Sequence, residues 1–258
     1  MLERLSETSS NVLVTGAARR IGAALATDLA TAGFGVVLHA NTSVAEAEET
    51  ATFIRSTGGR AAVITGDLSS AQGLSRIVDR AAREIGPLSV LVNNASIFEP
   101  DEIETLDIER FDRHFAIHTR APLFLSQAFA EQLPDEASGL IVNIIDQKVW
   151  RPTPKFLSYT LSKSALWSAT RMLAQGLAPR IRVNAIGPGP TLASERQSAE
   201  DFRRQQEAVP LGRGPELVEF ANTILYLWRT PSITGQMIAL DGGQHLAWET
   251  PDVVGIRE

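Results

Sequence analysis

Short apolar runs alternate along the chain with longer stretches in which apolar residues recur every three or four positions. The first pattern suits buried strands, the second amphipathic helices. Asn11 to Val14 reads as a strand, Thr15 to Arg19 as a turn, and Ile21 to Ala32 as a helix ended by Gly33. FGVVLHA, RAAVIT and LSVLVNN supply three more strands, separated by helices over Val44–Thr57 and Ala71–Ile85. Gly58-Gly59 and Gly86-Pro87 stop those helices, since glycine adopts the terminal left-handed turn and proline cannot continue a helix. Asp107 to Ala130 reads as one long helix, Leu140 to Ile145 as a strand, Tyr159 to Leu177 as a helix and Ile181 to Ala185 as a strand. IGPGPTL follows as a rigid loop, Pro215 opens a helix through Trp228, and GQMIALDGG holds a last strand.

Strands alternating with helices predict an α/β architecture: a three-layer Rossmann fold around a doubly wound, mostly seven-stranded parallel sheet. The alternation runs on without a linker, so residues 1–258 read as a single domain. A polar, charged segment, Glu195 to Ala208, suits either a substrate lid around 190–212 or a solvated surface helix. Apolar residues beyond the last strand, Trp248 among them, suit a subunit interface or a cover for the core.

Composition narrows the field. Hydrophobic residues make up 44%, ordinary for a globular protein. A net charge of -6 argues against a nucleic-acid partner, which calls for a basic patch. The absence of cysteine removes disulfide and thiolate chemistry, and His39, His114, His118 and His245 lack metal-ligand spacing, so no metal is expected. MLERLSETSS lacks the basic and apolar regions of a signal peptide, and no run approaches the roughly 18 apolar residues of a membrane span. A cytoplasmic protein with no membrane partner and a small-molecule substrate is the expectation.

Candidate chemistry sits at the strand ends. In TGAARRIG, Gly16 and Gly22 would let backbone approach a pyrophosphate at a helix N-terminus, with Arg19, Arg20 and Ile21 in the same turn. A plain glycine turn would look similar. The second strand exits into His39, Asn41, Thr42 and Ser43, where a dinucleotide fold that prefers NADH carries an acidic residue. Neutral donors beside arginines accommodate a 2'-phosphate, so the cofactor expected is NADP(H). Tyr159 and Lys163 lie four apart at a helix start and can reach one pocket, and Asp146 stands where the fifth strand stops.

TGAARRIG, Asp67-Leu68, NNAS at 93–96, Tyr159-xxx-Lys163 and Pro188-Gly189, in this order over roughly residues 9 to 246, resemble the short-chain dehydrogenase/reductase family. The resemblance implies that Tyr159 is the general acid. Lys163 would bond the nicotinamide ribose and favour the tyrosinate by its charge. It also implies that Asn94 and Ala95 line the cofactor, that Asp67 and Leu68 meet the adenine, and that Pro188, Gly189 and Thr191 hold the amide end. Family members usually form tetramers through helices corresponding to Asp107–Ala130 and Tyr159–Leu177, so a homotetramer is expected.

Three departures point to a subgroup. The middle glycine of the family's TGxxxGxG is Arg20, the usual catalytic serine 13 residues before the tyrosine is Asp146, and the usual helix asparagine is His118. Arginine for glycine, aspartate for serine, and an aromatic soon after NNAS resemble pteridine reductases, although their arginine at the second strand's exit is Thr42 here. His118 is similar to bacterial dihydromonapterin and dihydrofolate reductases, and is either a participant or a satisfied helix histidine. On this resemblance Phe98 stacks on a flat ring, Arg20 and Ser96 bond its oxo group or the cofactor phosphates, and Asp146 accepts from a ring N–H. Phe98 could instead be a core aromatic, and Asp146 a strand-end cap or a partner of Lys148. The rival activities are a carbonyl reductase for a 3-oxoacyl thioester, sugar or small ketone, with Trp150 or Phe156 shaping its pocket, and a non-catalytic dinucleotide sensor or scaffold.

Overall fold

In the computed structural model, which describes residues 10–194 and 196–248, seven segments extend and pair. They are Asn11–Val14 (β1), Gly35–Ala40 (β2), Arg60–Thr65 (β3), Val90–Asn93 (β4), Gly139–Ile144 (β5), Ile181–Pro188 (β6) and Met237–Leu240 (β7). All pairings are parallel, in the order β3-β2-β1-β4-β5-β6-β7. β1, β2, β4 and β5 are buried along their whole length, which is why they read as unbroken apolar runs.

The described residues hold eight α-helices, all but α7 arranged about the sheet: Arg20–Thr31 (α1), Val44–Ser56 (α2), Leu74–Ile85 (α3), Ile108–Phe115 (α4), Ala121–Gln132 (α5), Leu157–Gly176 (α6), Ala199–Glu207 (α7) and Leu217–Arg229 (α8). Alternate residues of a strand point to opposite faces. Val12 and Val36 therefore pack with Leu25, Ile54 and Phe220 on one side. Leu13 and Val37 pack with Ile77, Leu125 and Phe129 on the other. The chain starts at the middle of the sheet, winds out to β3, then crosses back to β4 beside β1. The crevice at that reversal, at the carboxyl ends of the strands, is where such sheets bind ligands.

Three elements depart from the sequence expectation. The stretch expected as one helix over Asp107–Ala130 contains a wider π turn at Ala116–Arg120 between α4 and α5. Pro122 explains it, because proline has no N–H and its ring crowds the preceding turn of a regular helix. Ile186 to Pro188 continue β6 alongside Ile238–Leu240 instead of opening a loop. Pro215 precedes its helix, which begins at Leu217. The segment expected as lid or surface helix contains α7, whose first turn Ser198 caps by accepting from the Asp201 N–H. The termini and the tail beyond Trp248 lie outside the described residues.

The start of α6 is held from a distance. Phe156 occupies its N-cap position in the left-handed region, φ 58°, and contributes no cap bond. Asp101, buried on the loop after β4, accepts instead from the Ser158 N–H at 3.1 Å and from the Ser158 hydroxyl. Replacing Asp101 with alanine should lower the unfolding free energy by about 2 kcal/mol, at the upper end for a lost cap. A thermal midpoint lowered by several degrees, partly restored in Asp101→Asn, is the expected result; an unchanged midpoint would contradict the capping role.

Candidate active site

A cleft of about 800 Å³ runs along the carboxyl ends of the strands, from the exit of β2 to the start of α6. That volume lies in the range of small-molecule sites. Its floor is a tight junction between the turn after β1 and the exit of β4. The Thr15 hydroxyl accepts from the Asn94 and Ala95 N–H groups at 2.9 and 3.0 Å and donates to the Val92 carbonyl. The Asn94 carboxamide donates to the carbonyls of Thr15 and Gly16. A Cβ on Gly16 would sit 2.8 Å from Ala95 Cα, and one on Gly22 would sit 2.2 Å from the Gly16 oxygen. Both glycines are therefore needed for close approach. Thr15 escaped the sequence reading, although it heads the glycine motif.

At the exit of β2, Asn41, Thr42 and Ser43 line the cleft, and Arg19 lies above them, 4.0 Å from the Glu46 carboxylate. His39 was expected to be a phosphate donor here and is not. Its Nδ1 accepts from the Gly16 N–H at 3.3 Å and its Nε2 faces the Gly66 carbonyl at 3.1 Å. It is buried and neutral, with burial pushing its pKa down to about 4. His39 is thus a strut beneath the glycine turn. Asp67 lines the cleft next to Leu68; bonds from the Ser69 hydroxyl and N–H hold its carboxyl below the ordinary value.

Arg20, standing where the common pattern has glycine, keeps a glycine-like backbone at φ 56°. Its guanidinium was expected to face a ring or the cofactor phosphates. It donates to the carbonyls of Leu192 and Ala193 at 3.2 and 2.9 Å, tying the segment after β6 to the glycine turn. Pro188 at the end of β6, with Gly189 and Thr191 just beyond it, lines the cleft, and the Thr191 hydroxyl bonds the Gly189 carbonyl. Further on, Arg196 crosses the mouth, donating to the Phe98 carbonyl at 2.7 Å.

At the far end the Tyr159 hydroxyl donates to Asp146 Oδ2 at 2.9 Å. Asp146 Oδ1 accepts from the Lys148 N–H at 2.8 Å, so Asp146 is at once a strand-end cap and a tyrosine partner. Lys163 Nζ donates to the Ile144 carbonyl at 2.8 Å and lies 5.8 Å from the Tyr159 ring. Burial raises the Tyr159 pKa well above its ordinary value, and the Asp146 charge raises it further. Both effects favour the protonated phenol. Burial pushes Lys163 down to about 8, partly opposed by Asp146.

His118 lies in the π turn with both ring nitrogens engaged. Nε2 accepts from the Ile97 N–H at 3.1 Å, which puts the ring proton on Nδ1, 2.8 Å from the Ser162 hydroxyl. Ser162 in turn donates to the Tyr159 carbonyl at 2.8 Å, and Ser96 lies 3.0 Å from Nε2. Burial, then the Lys163 charge, keeps His118 neutral. It is a satisfied histidine that braces the β4 exit against α6. Phe98 lines the cleft and stays partly exposed, with Phe156 stacked on it at 4.2 Å between centroids and Tyr159 edge-on at 4.8 Å. Phe156, expected to shape a pocket only under the carbonyl-reductase reading, backs Phe98 instead, and Ser162 could be found only once α6 was folded against the β4 loop.

A parallel sheet whose switch point holds a glycine turn, with a buried tyrosine and lysine at the end of the cleft, defines an oxidoreductase of the dinucleotide-binding class. The chain belongs to the short chain dehydrogenase family, whose sequence model matches residues 10–204. It is 56% identical to FolM alternative dihydrofolate reductase 1 from Brucella canis, crystallised as a complex with NADP. The two superpose with a TM-score of 0.93 over 95% of this chain and 97% of that one. Pteridine reductase 1 from Leishmania tarentolae is 31% identical over 93% of this chain and 98% of its own length. A dihydromonapterin reductase from Enterobacter sp. (strain 638) is 31% identical over 91% and 96%. Among the described residues no group of side chains could hold a metal ion, and no helix is long and apolar enough to cross a membrane.

The depressed pKa of His39 ties stability to pH. The folded chain refuses a proton that the unfolded chain accepts near 6.5, so this stabilisation is complete above pH 6.5 and is lost as pH falls toward 4. The loss should amount to about 3 kcal/mol. Urea unfolding across this window should show a flatter pH dependence in His39→Gln, which should also be less stable at neutral pH; parallel curves would contradict it.

Proposed function

We propose that the enzyme is an NADPH-dependent reductase that adds hydride to a C=N bond of a dihydropterin or a related bicyclic heterocycle. The cleft fits NADPH on its own chemistry. Side chains at Gly16 and Gly22 would fill the approach to the glycine turn, and the β2 exit offers Asn41, Thr42 and Ser43 with Arg19, not a carboxylate that would repel a 2'-phosphate. Asn94, Ala95, Asp67 and Leu68 would flank the nucleotide, and Pro188, Gly189 and Thr191 the nicotinamide end. Arg20 would act by holding the Leu192–Ala193 backbone beside the cofactor. The stretch around 190–212 would serve as a substrate lid, latched by Arg196 on Phe98.

The cofactor supplies the hydride. Tyr159 supplies the proton to the ring nitrogen that becomes basic as hydride arrives. The phenol carries its proton at neutral pH, and the Lys163 charge offsets the raised pKa by stabilising the phenolate formed by the transfer. Asp146 orients the phenol. A single observation carries the pterin reading: a carboxylate, not a serine, bonds the Tyr159 hydroxyl. A carboxylate accepts but does not donate, so it suits ring N–H groups better than a ketone oxygen. Ser96 at the β4 exit would add a donor to the ring, and Phe98, backed by Phe156, would offer an aromatic wall. The FolM, pteridine reductase and dihydromonapterin reductase relatives are consistent with this. We place the enzyme in the cytoplasm as a homotetramer that buries the exposed Ile108, Phe124, Leu161 and Met172 on α4, α5 and α6.

Steady-state assays with dihydrobiopterin, dihydromonapterin and dihydrofolate should show NADPH oxidation with at least one. Silence with all three, together with turnover of 3-oxoacyl thioesters or small ketones, would favour carbonyl reduction. In Tyr159→Phe, kcat should fall by about 10²-fold or more while NADPH binding persists. Retained turnover would remove Tyr159 from the mechanism. Loss of the Lys163 charge should give kcat an alkaline limb near pH 8, which Lys163→Arg would move upward. An unmoved limb would assign it elsewhere.

A further inference from the structure

Gln147, next to Asp146, has no part in the mechanism above. It opens the short 3₁₀ turn Gln147–Val149 that Asp146 caps, and its own carbonyl accepts from the Trp150 N–H at 2.9 Å. The residue is 4% exposed, yet its side-chain Oε1 is buried without a hydrogen-bond partner. A handful of described residues bury a polar side-chain atom in this way: Asn93, His114, Arg120, Gln147, Thr160 and Arg180. Of these, Gln147 alone lines the cleft.

A buried carboxamide oxygen without a partner destabilises the folded chain, and a native structure that keeps one keeps it for a reason. The position supplies that reason. Gln147 follows the carboxylate that bonds Tyr159 and lines the same cleft, which places the residue at its reacting end. A primary carboxamide presents one acceptor and a donor pair side by side. That pairing matches the edge of a cyclic amide or amidine, in which an N–H adjoins a carbonyl or a ring nitrogen adjoins an amino group. A simple ketone or an acyl thioester has no such edge and would leave the amide unpaired.

We propose that Gln147 is a substrate-recognition residue whose carboxamide pairs with the amide or amidine edge of the heterocycle, so that Gln147 and Asp146 together select the ring class. The inference rests on the pterin reading and sharpens it. Gln147 leaves the hydride and proton steps to the groups already named and acts on ground-state binding. Its removal therefore belongs in KM more than in kcat.

Gln147→Met, close in size and without hydrogen-bonding capacity, and Gln147→Leu separate the possibilities, with dihydrobiopterin as the probe. The expected result is a KM raised about 10- to 100-fold, as for a lost buried hydrogen bond. The fall in kcat should be smaller, and the NADPH dissociation constant should change less than about twofold. The unliganded variants should also melt a few degrees higher, since the orphaned oxygen is gone. An unchanged KM would overturn the inference. So would KM and NADPH dissociation constant rising together, which would put the amide on the cofactor. A lower melting temperature with kcat and KM damaged alike would make Gln147 structural and likewise overturn it. No turnover of any dihydropterin by the unsubstituted enzyme would instead overturn the pterin reading, and this inference with it; turnover with an unmoved KM in both variants would overturn this inference alone.

Discussion

The close junction between the turn after β1 and the exit of β4 is the constraint on which the rest of the site depends. Asn94 donates to Thr15 across it from both its backbone N–H and its carboxamide, and Gly16 and Gly22 leave no room for a side chain. Because β1 and β4 are neighbours whose following helices pack on opposite faces, this is where the sheet opens. The junction aligns the first helix over the cleft and sets where the β4 exit loop begins. That loop carries Ser96 and Phe98 toward the reacting end and Asp101 to the start of α6.

Electrostatics at the reacting end follow from burial. Tyr159 and Lys163 are buried, and desolvation opposes ionisation of either one. The carboxylate of Asp146 raises both, which disfavours the phenolate and favours the ammonium. In a site built to protonate a substrate, that arrangement keeps a neutral phenol beside a cation and an anion whose charges largely cancel. The serine common in the family would exert no such charge.

The buried histidines serve the same geometry without changing charge. His39 supports the glycine turn and His118 links the β4 exit to Ser162, and both are held neutral by burial. His118 reaches its partners because the π turn ahead of Pro122 widens the helix there. Arg20 shows a related exchange: a backbone conformation ordinarily left to glycine is tolerated, and the guanidinium gains two carbonyls of the segment after β6.

The sequence by itself determined the strands, the sheet class, the family and the trio Asp146, Tyr159 and Lys163. Apolar runs, helix periodicity and short fixed-spacing motifs are local properties, and a linear reading captures them. What tertiary structure decided was which polar groups satisfy one another. His39 looked like a free donor because nothing local reveals that Gly16 and Gly66 enclose it. Nothing near Phe98 in the chain reveals that Phe156, far along it, stacks on its ring. Asp101 and Ser162 gave no signal, since a cap supplied from another loop and a relay through a histidine exist only after packing. The direction of the Tyr159 shift was likewise hidden, because burial and the contact with Asp146 that set it exist only in the folded chain.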